Sequence, residues 1–272
     1  MIKIDQDAEA FVAHYRDLPI AERMLLSIEK QVARFGKEGA RIAGILENAG
    51  TRNGAAVQHY YGDKDTLIHT AFLYRYKVFN DWSEHYLALL DDSKNAEPLA
   101  NHLLLGINGA WGYCCKQTLP YCYHAGFIQK MGLDNPGISG IADEFSWSGP
   151  MRTLIERAIA EFSQAIGQSL AERRMPLGVL QLVSAWAAKE REIRAELSGK
   201  KASTEDVVAE IDRFTIEMTE ALCANLFREK YRPFKKDPLA LLNKTAKRCG
   251  APVWHYEPGS VEESAAALAR LR

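Results

Sequence analysis

The 272-residue chain has no uninterrupted apolar run near the roughly 18 residues that a membrane-spanning helix requires, which removes the helical membrane classes. It is poor in cysteine. Five in a chain of this length do not make a disulfide framework, and reducing conditions suit them best. The opening segment MIKIDQDAEAFVAHYRD carries acids where a secretory leader carries bases and an apolar stretch, so a cytoplasmic protein is expected. Period-two alternation is missing, and with it any convincing strand. Also missing are a glycine-rich phosphate loop after a strand, a Gly-x-Ser-x-Gly elbow and a His-Glu-x-x-His pair. Carboxylates are plentiful, yet none cluster on an apolar helix face as a di-iron bundle requires. No enzyme and no cofactor are therefore expected. There is no excess of one charge either. A net charge of −1 argues neither for nor against nucleic acid, because phosphate binding depends on where the bases sit.

What is present is helical periodicity almost throughout, with an ordinary soluble balance of 47% hydrophobic and 25% charged residues. Ile20, Met24, Leu25, Ile28, Val32 and Phe35 share one face of a helix that the Gly36 and Gly39 pair closes. Two short helices follow, Ala40–Ala49 and Thr51–Tyr61. Asp63 then caps a long run to Leu90, along which Phe72, Tyr76, Phe79, Trp82 and Tyr86 recur at three- and four-residue steps. Leu99–Gln117 reads as a helix weakened by Gly106, Gly109 and Gly112. The stretch from Thr118 to Pro150 is the least regular. Met151–Arg174 is a further amphipathic helix, and Pro176 suits the first turn of the next, which runs to about Leu197. Ser203 opens another that reaches Phe227, and a basic, proline-broken tail begins at Lys230. The expected fold is all-α, in three parts: a small N-terminal domain over residues 1–66, a larger helical domain over 67–232, and a basic extension over 233–272.

The small front domain carries the sharpest signal. Ala49-Gly50-Thr51 is the kind of short turn that sets two helices at a steep angle. In the helix after it, Val57 and Tyr61 point to a core, leaving Arg52, Asn53, Ala55, Gln58 and His59 outward. That outer face is short, polar and nearly free of acids, as a helix entering the major groove requires. From Lys30 to Lys64 the bases exceed the acids by three, the right sign for phosphate. The segment AGTRNGAAVQHYYGDKDTL, Ala49 to Leu67, resembles the TetR family of helix-turn-helix transcriptional regulators. The likeness is to the subset with Arg-Asn after the turn and Ala-Val-Gln in the recognition helix, and it covers roughly Ile20 to Tyr74. It departs in a shorter loop, GKEGA, between the first two helices and in one extra residue in the recognition segment.

The resemblance implies a DNA reader built from Arg41, Arg52, Asn53, Gly54, Ala55, Gln58, His59, Tyr60 and Lys64. Gln58 is the best base reader, since its amide can pair bidentately with adenine, while Tyr60 and Lys64 would hold phosphates. It also implies a larger domain that binds an effector and forms a homodimer, so that two half-sites about one helical turn apart are read together. The helix through Leu177, Leu180, Val183, Ala187 and Ile193, and the one carrying Val208, Ile211, Phe214, Ile216, Met218, Leu222 and Leu226, suit a four-helix interface. They equally suit the core of a monomer.

A pocket for an apolar or aromatic effector is expected among Phe72, Tyr76, Phe79, Trp82, Trp111, Tyr113, Tyr121, Tyr123, Phe127, Phe145 and Trp147, with Asn108, His102, His124 and Gln129 as orienting groups. Aromatics at this spacing also serve as plain core. The expected outcome of effector binding is release from an operator in double-stranded DNA, as a repressor. Two alternatives stay open: a metal- or redox-responsive regulator using Cys114, Cys115, Cys122 and His124, with no common metal spacing among them, and a helical interaction protein without ligand sensing.

Overall fold

The computed structural model describes residues 7–91, 99–134, 149–199, 201–228, 231–234 and 237–250, and every regular element among them is a helix. In chain order these are α1 (Ala8–His14), α2 (Ile20–Gly39), α3 (Ile42–Asn48), α4 (Ala56–Tyr61), α5 (Lys64–Asp91), α6 (Leu99–Gln117), α7 (His124–Asp134), α8 (Pro150–Ile166), α9 (Gln168–Ser198), α10 (Thr204–Phe227) and α11 (Leu239–Cys249). The chain divides into two compact units: residues 1–76, 126–146 and 253–272 form one, and residues 77–125 and 147–252 the other.

In the first unit, the apolar face of α2 predicted from Ile20 onward is buried through Met24, Leu25, Ile28 and Val32. Each such side chain contributes about 1.5–3 kcal/mol by leaving water. Phe35 leaves this pattern: it is 54% exposed, with the Arg34 guanidinium 5.3 Å from its ring, because α2 kinks at Gly36 and the chain turns away from the core. Polar groups tie the small helices together. Ser27 donates to the Ile45 carbonyl at 2.8 Å, joining α2 to α3. Lys30, fully buried, donates to Asn48 Oδ1 at 2.9 Å and lies 4.6 Å from the centre of the Phe11 ring, so one ammonium serves α1, α2 and α3. The start of α5 is held to α2 by Arg75, whose guanidinium makes two bonds of 2.7 Å to Glu29.

In the second unit α6 is the centre: every residue from Ala100 to Cys115 is buried. The three glycines read from sequence as weak points are instead places of close approach. A Cβ on Gly106 would lie 2.6 Å from the Tyr86 ring, one on Gly109 2.6 Å from the Trp82 indole, and one on Gly112 2.6 Å from Thr215 Oγ1. α10 and α8 pack most extensively against α6. Asn108 is the polar pin of this core. Its Nδ2 donates to the Thr215 carbonyl and to Thr219 Oγ1, both at 2.9 Å, and its Oδ1 accepts from Trp186 Nε1 at 2.6 Å, so α6, α9 and α10 are fixed in one register.

Two boundaries differ from the sequence expectation. The break foreseen between Arg174 and Pro176 lies earlier, at Gly167, whose φ of 90° ends α8. α9 then runs for 31 residues with Pro176 inside it. That proline is exposed, so the carbonyl left without an amide partner can face water, which moderates the cost of a proline within a helix. At the other end of α9 the Ser203–Asp206 capping box starts α10 at Thr204, as the sequence predicts.

Candidate nucleic-acid interface

α3 ends in a left-handed turn that only glycine takes without strain. Gly50 has φ 67°, the Thr51 amide donates back to Leu46 O at 3.0 Å, and a Cβ on Gly50 would stand 2.7 Å from Val12 Cγ1. Thr51 to Ala55, foreseen as the first turn of the next helix, is a non-helical lead-in, and α4 is confined to Ala56–Tyr61. The lead-in is held by Asn53, which accepts the Ala55 amide at 3.1 Å on Oδ1 while its own amide donates to Thr51 Oγ1 at 3.2 Å. This is the local side-chain turn that asparagine favours ahead of a helix.

α4 is anchored on one side and open on the other. Ala56, Val57 and Tyr61 are buried, and Tyr61 Oη donates to Ala21 O at 2.7 Å, locking the helix to the start of α2. Arg52, Asn53, Gly54, Ala55, Gln58 and His59 are all exposed, as is Arg41 immediately before α3. Tyr60 is half-buried, its ring 4.8 Å from that of His59. Lys64, which the resemblance assigns to phosphate, is half-buried. Its ammonium donates to Lys37 O at 3.0 Å and Ala40 O at 3.3 Å, closing the C-terminal end of α2. Asp63 accepts the Thr66 amide at 2.7 Å and so caps α5. The outer surface from Arg52 to His59 is therefore an acid-free strip with one guanidinium, an amide pair and an imidazole.

Comparison of the chain with protein-family models, with curated proteins and with solved structures found no match.

The residues expected to line an effector pocket belong to both units. Phe72 and Tyr76 belong to the first unit and stack with ring centres 6.1 Å apart. In the second unit Phe79, Trp111 and His124 form a three-ring cluster with centres 5.2 to 5.4 Å apart. Trp82 packs on Tyr113 at 5.2 Å and Tyr86 at 6.3 Å, and its Nε1 donates to Gly106 O. Tyr123 lies 4.1 Å beneath the Arg194 guanidinium, and Tyr121 is half-buried. Asn108 has its amide committed to Thr215, Thr219 and Trp186, and His102 packs edge-on against Phe234 at 5.4 Å. Phe127 is buried, Gln129 is half-buried, and Phe145 and Trp147 lie outside the described residues.

All five cysteines are free thiols. Among the described residues no group of three or more His, Cys, Asp or Glu is placed to hold a metal ion, so Cys114, Cys115, Cys122 and His124 do not converge on a metal site. Cys115 and Cys122 do touch: a hydrogen bond between their thiols, with burial, pushes Cys115 well above the ordinary thiol range. A thiol so held is a poor thiolate source. One group the sequence reading passed over is Glu190. It is buried and accepts the Ala125 amide at 2.8 Å, tying the start of α7 to α9. One glutamate within the charged run Lys189–Arg194 gives no sequence signal for such a cap.

Proposed function

We propose that this protein is a sequence-specific DNA-binding transcriptional regulator, a homodimeric repressor that reads the major groove with α4 and leaves its operator on binding an apolar or aromatic effector. The observation that carries this reading is the division of α4: Ala56, Val57 and Tyr61 hold it to the core, while Arg52, Asn53, Ala55, Gln58 and His59 stand exposed on a strip without acids. Gln58 and Arg52 suit bidentate contacts to adenine and guanine edges, and Arg41 and Tyr60 suit phosphates. The likeness to the TetR motif over Ala49–Leu67 points the same way.

Two features support the rest of the reading. Leu177 and Leu180 on α9 are 65% and 51% exposed, large apolar groups that a second copy of the chain would cover. Of the α10 residues that sequence assigned to the same interface, Ile211, Met218, Leu222 and Leu226 are buried within the protomer, while Val208, Phe214 and Ile216 are half-buried, so the most exposed apolar groups of the proposed contact are those of α9. For the effector, the Phe79, Trp111 and His124 cluster supplies aromatic surface on α5, α6 and α7, and α5 continues without a break from Lys64 through that cluster. A ligand that prefers one placement of α5 shifts the balance between DNA-competent and incompetent states.

The test is a mobility shift with the DNA upstream of the protein's own coding region. Binding is expected to fall steeply with salt, and Arg52→Ala and Gln58→Ala are each expected to cost about 1–3 kcal/mol and relax sequence choice. Wild-type binding by both variants would remove α4 from the reading role.

A further inference from the structure

α11 turns a basic face outward and docks by its other side. Leu242 and Thr245 are buried, Leu242 in the notch left by Gly109, where a Cβ would meet Leu242 Cδ2 at 2.8 Å. Just past the helix, Gly250 O accepts from Tyr113 Oη at 2.9 Å, which fastens the C-terminal end to α6. On the opposite side Asn243, Lys244, Lys247 and Arg248 are exposed. None of these three cations takes part in an ion pair among the described residues. The sequence around them is biased in the same way: Arg228 to Gly250 carries eight bases against two acids, a net +6, in a chain whose remainder is −7. A helix tolerates cations in its last turn for its own dipole, which accounts for Lys247 and Arg248. It does not account for Lys244 or for the bases before the helix.

We propose that this face of α11 is a second contact for the phosphate backbone of duplex DNA, independent of sequence and separate from α4. The choice of partner follows from what the face lacks. An interfacial membrane helix needs a continuous apolar side free to enter the lipid, and on α11 Leu242 is buried and Leu239 and Leu241 are half-buried. A protein partner needs an aromatic or aliphatic anchor, and none of the exposed large hydrophobic side chains lies on α11. What is left is charge alone, held on a fixed helix. Lys244 and Arg248 are one helical turn apart, about 6 Å of rise. Each DNA strand offers a phosphate every 3.4 Å or so of axis, so the three cations match two or three successive phosphates. The inference does not depend on the function proposed for α4.

The experiment uses the full chain and a duplex of scrambled sequence, with affinity followed between about 50 and 200 mM salt. The triple variant Lys244→Glu, Lys247→Glu, Arg248→Glu is expected to lose about 2.7 from the slope of log affinity against log salt, some 40-fold across that range. The neutral set Lys244→Gln, Lys247→Gln, Arg248→Gln is expected to lose a similar slope, and both should keep the wild-type melting temperature. Arg191→Gln, which removes an exposed cation of α9 far along the chain from this face, is expected to keep the wild-type slope. A wild-type slope in both triple variants would overturn the proposal. So would an equal loss of slope in Arg191→Gln, or binding to phosphatidylserine vesicles in preference to the duplex.

Discussion

Arg75 and Glu29 face each other as a planar, doubly bonded pair, with Nε to Oε1 and Nη2 to Oε2 both at 2.7 Å and neither side chain more than 3% exposed. The two residues are 46 positions apart in the chain, so the pair fastens α5 to α2 within the first unit. Removing one partner strands a charge in a dry site, which costs far more than the pair itself contributes. Glu29→Gln is expected to lower unfolding free energy by about 3–5 kcal/mol in urea titrations, and Glu29→Leu combined with Arg75→Met to lose much less. A double variant as unstable as the single one would show that the geometry of the pair, not its charge balance, matters.

The glycines of α6 divide from those of the lead-in to α4 by what a methyl group would meet. Gly109→Ala must push aside the Trp82 indole and Leu242, and about 1–3 kcal/mol of overpacking is expected. Gly54→Ala meets nothing within 4 Å and needs no unusual backbone angle, so its stability change should stay within about 0.5 kcal/mol. Thermal unfolding of the two variants side by side measures the contrast.

Alkali should unfold the protein partly through Tyr113. Burial, with Cys249 and Asp81 adding to it, pushes its phenol up to about 12, above the ordinary value of 10.0. The unfolded chain therefore releases this proton first as pH rises, so the contribution is whole below pH 10 or so and is lost as pH climbs through about 12. Tyr113→Phe is expected to lower stability at neutral pH by about 1 kcal/mol, for the lost bond to Gly250, and to flatten the decline in melting temperature above pH 10. An unchanged alkaline limb would assign that decline to other groups.

Leu177 and Leu180 give the dimer proposal its own test. Because both are exposed in the protomer, Leu177→Lys with Leu180→Lys should leave the protomer fold intact while shifting sedimentation from dimer to monomer. A wild-type sedimentation profile would place any self-association elsewhere.

Much of the architecture was legible because it is written in local chemistry. Asp63 and Ser203 cap the helices they were expected to cap, and Leu99–Gln117 is a helix over the predicted span. The exposed strip from Arg52 to His59 was legible too, since Val57 and Tyr61 mark its buried side. The bonds of Lys64 were not: its ammonium reaches carbonyls at the end of α2, 24 and 27 residues earlier, which no local pattern reports. Pro176 misled for a related reason: its cost in a helix depends on whether the orphaned carbonyl can reach water, which periodicity does not report.

The sequence by itself determined that the chain is helical, where most helices begin, and which short segment turns an acid-free polar face outward. These follow from capping, periodicity and side-chain type, all of which act over a few residues. Only the tertiary structure decided that α6 is buried on every side, that its glycines admit Tyr86, Trp82 and Thr215, and that Ile211, Met218, Leu222 and Leu226 of α10 are buried inside the protomer. It also decided that α11 docks through Leu242 and leaves Lys244, Lys247 and Arg248 outward. Those outcomes depend on which surfaces meet across many tens of residues, and an apolar stripe looks the same in sequence whether its partner is the same chain or another.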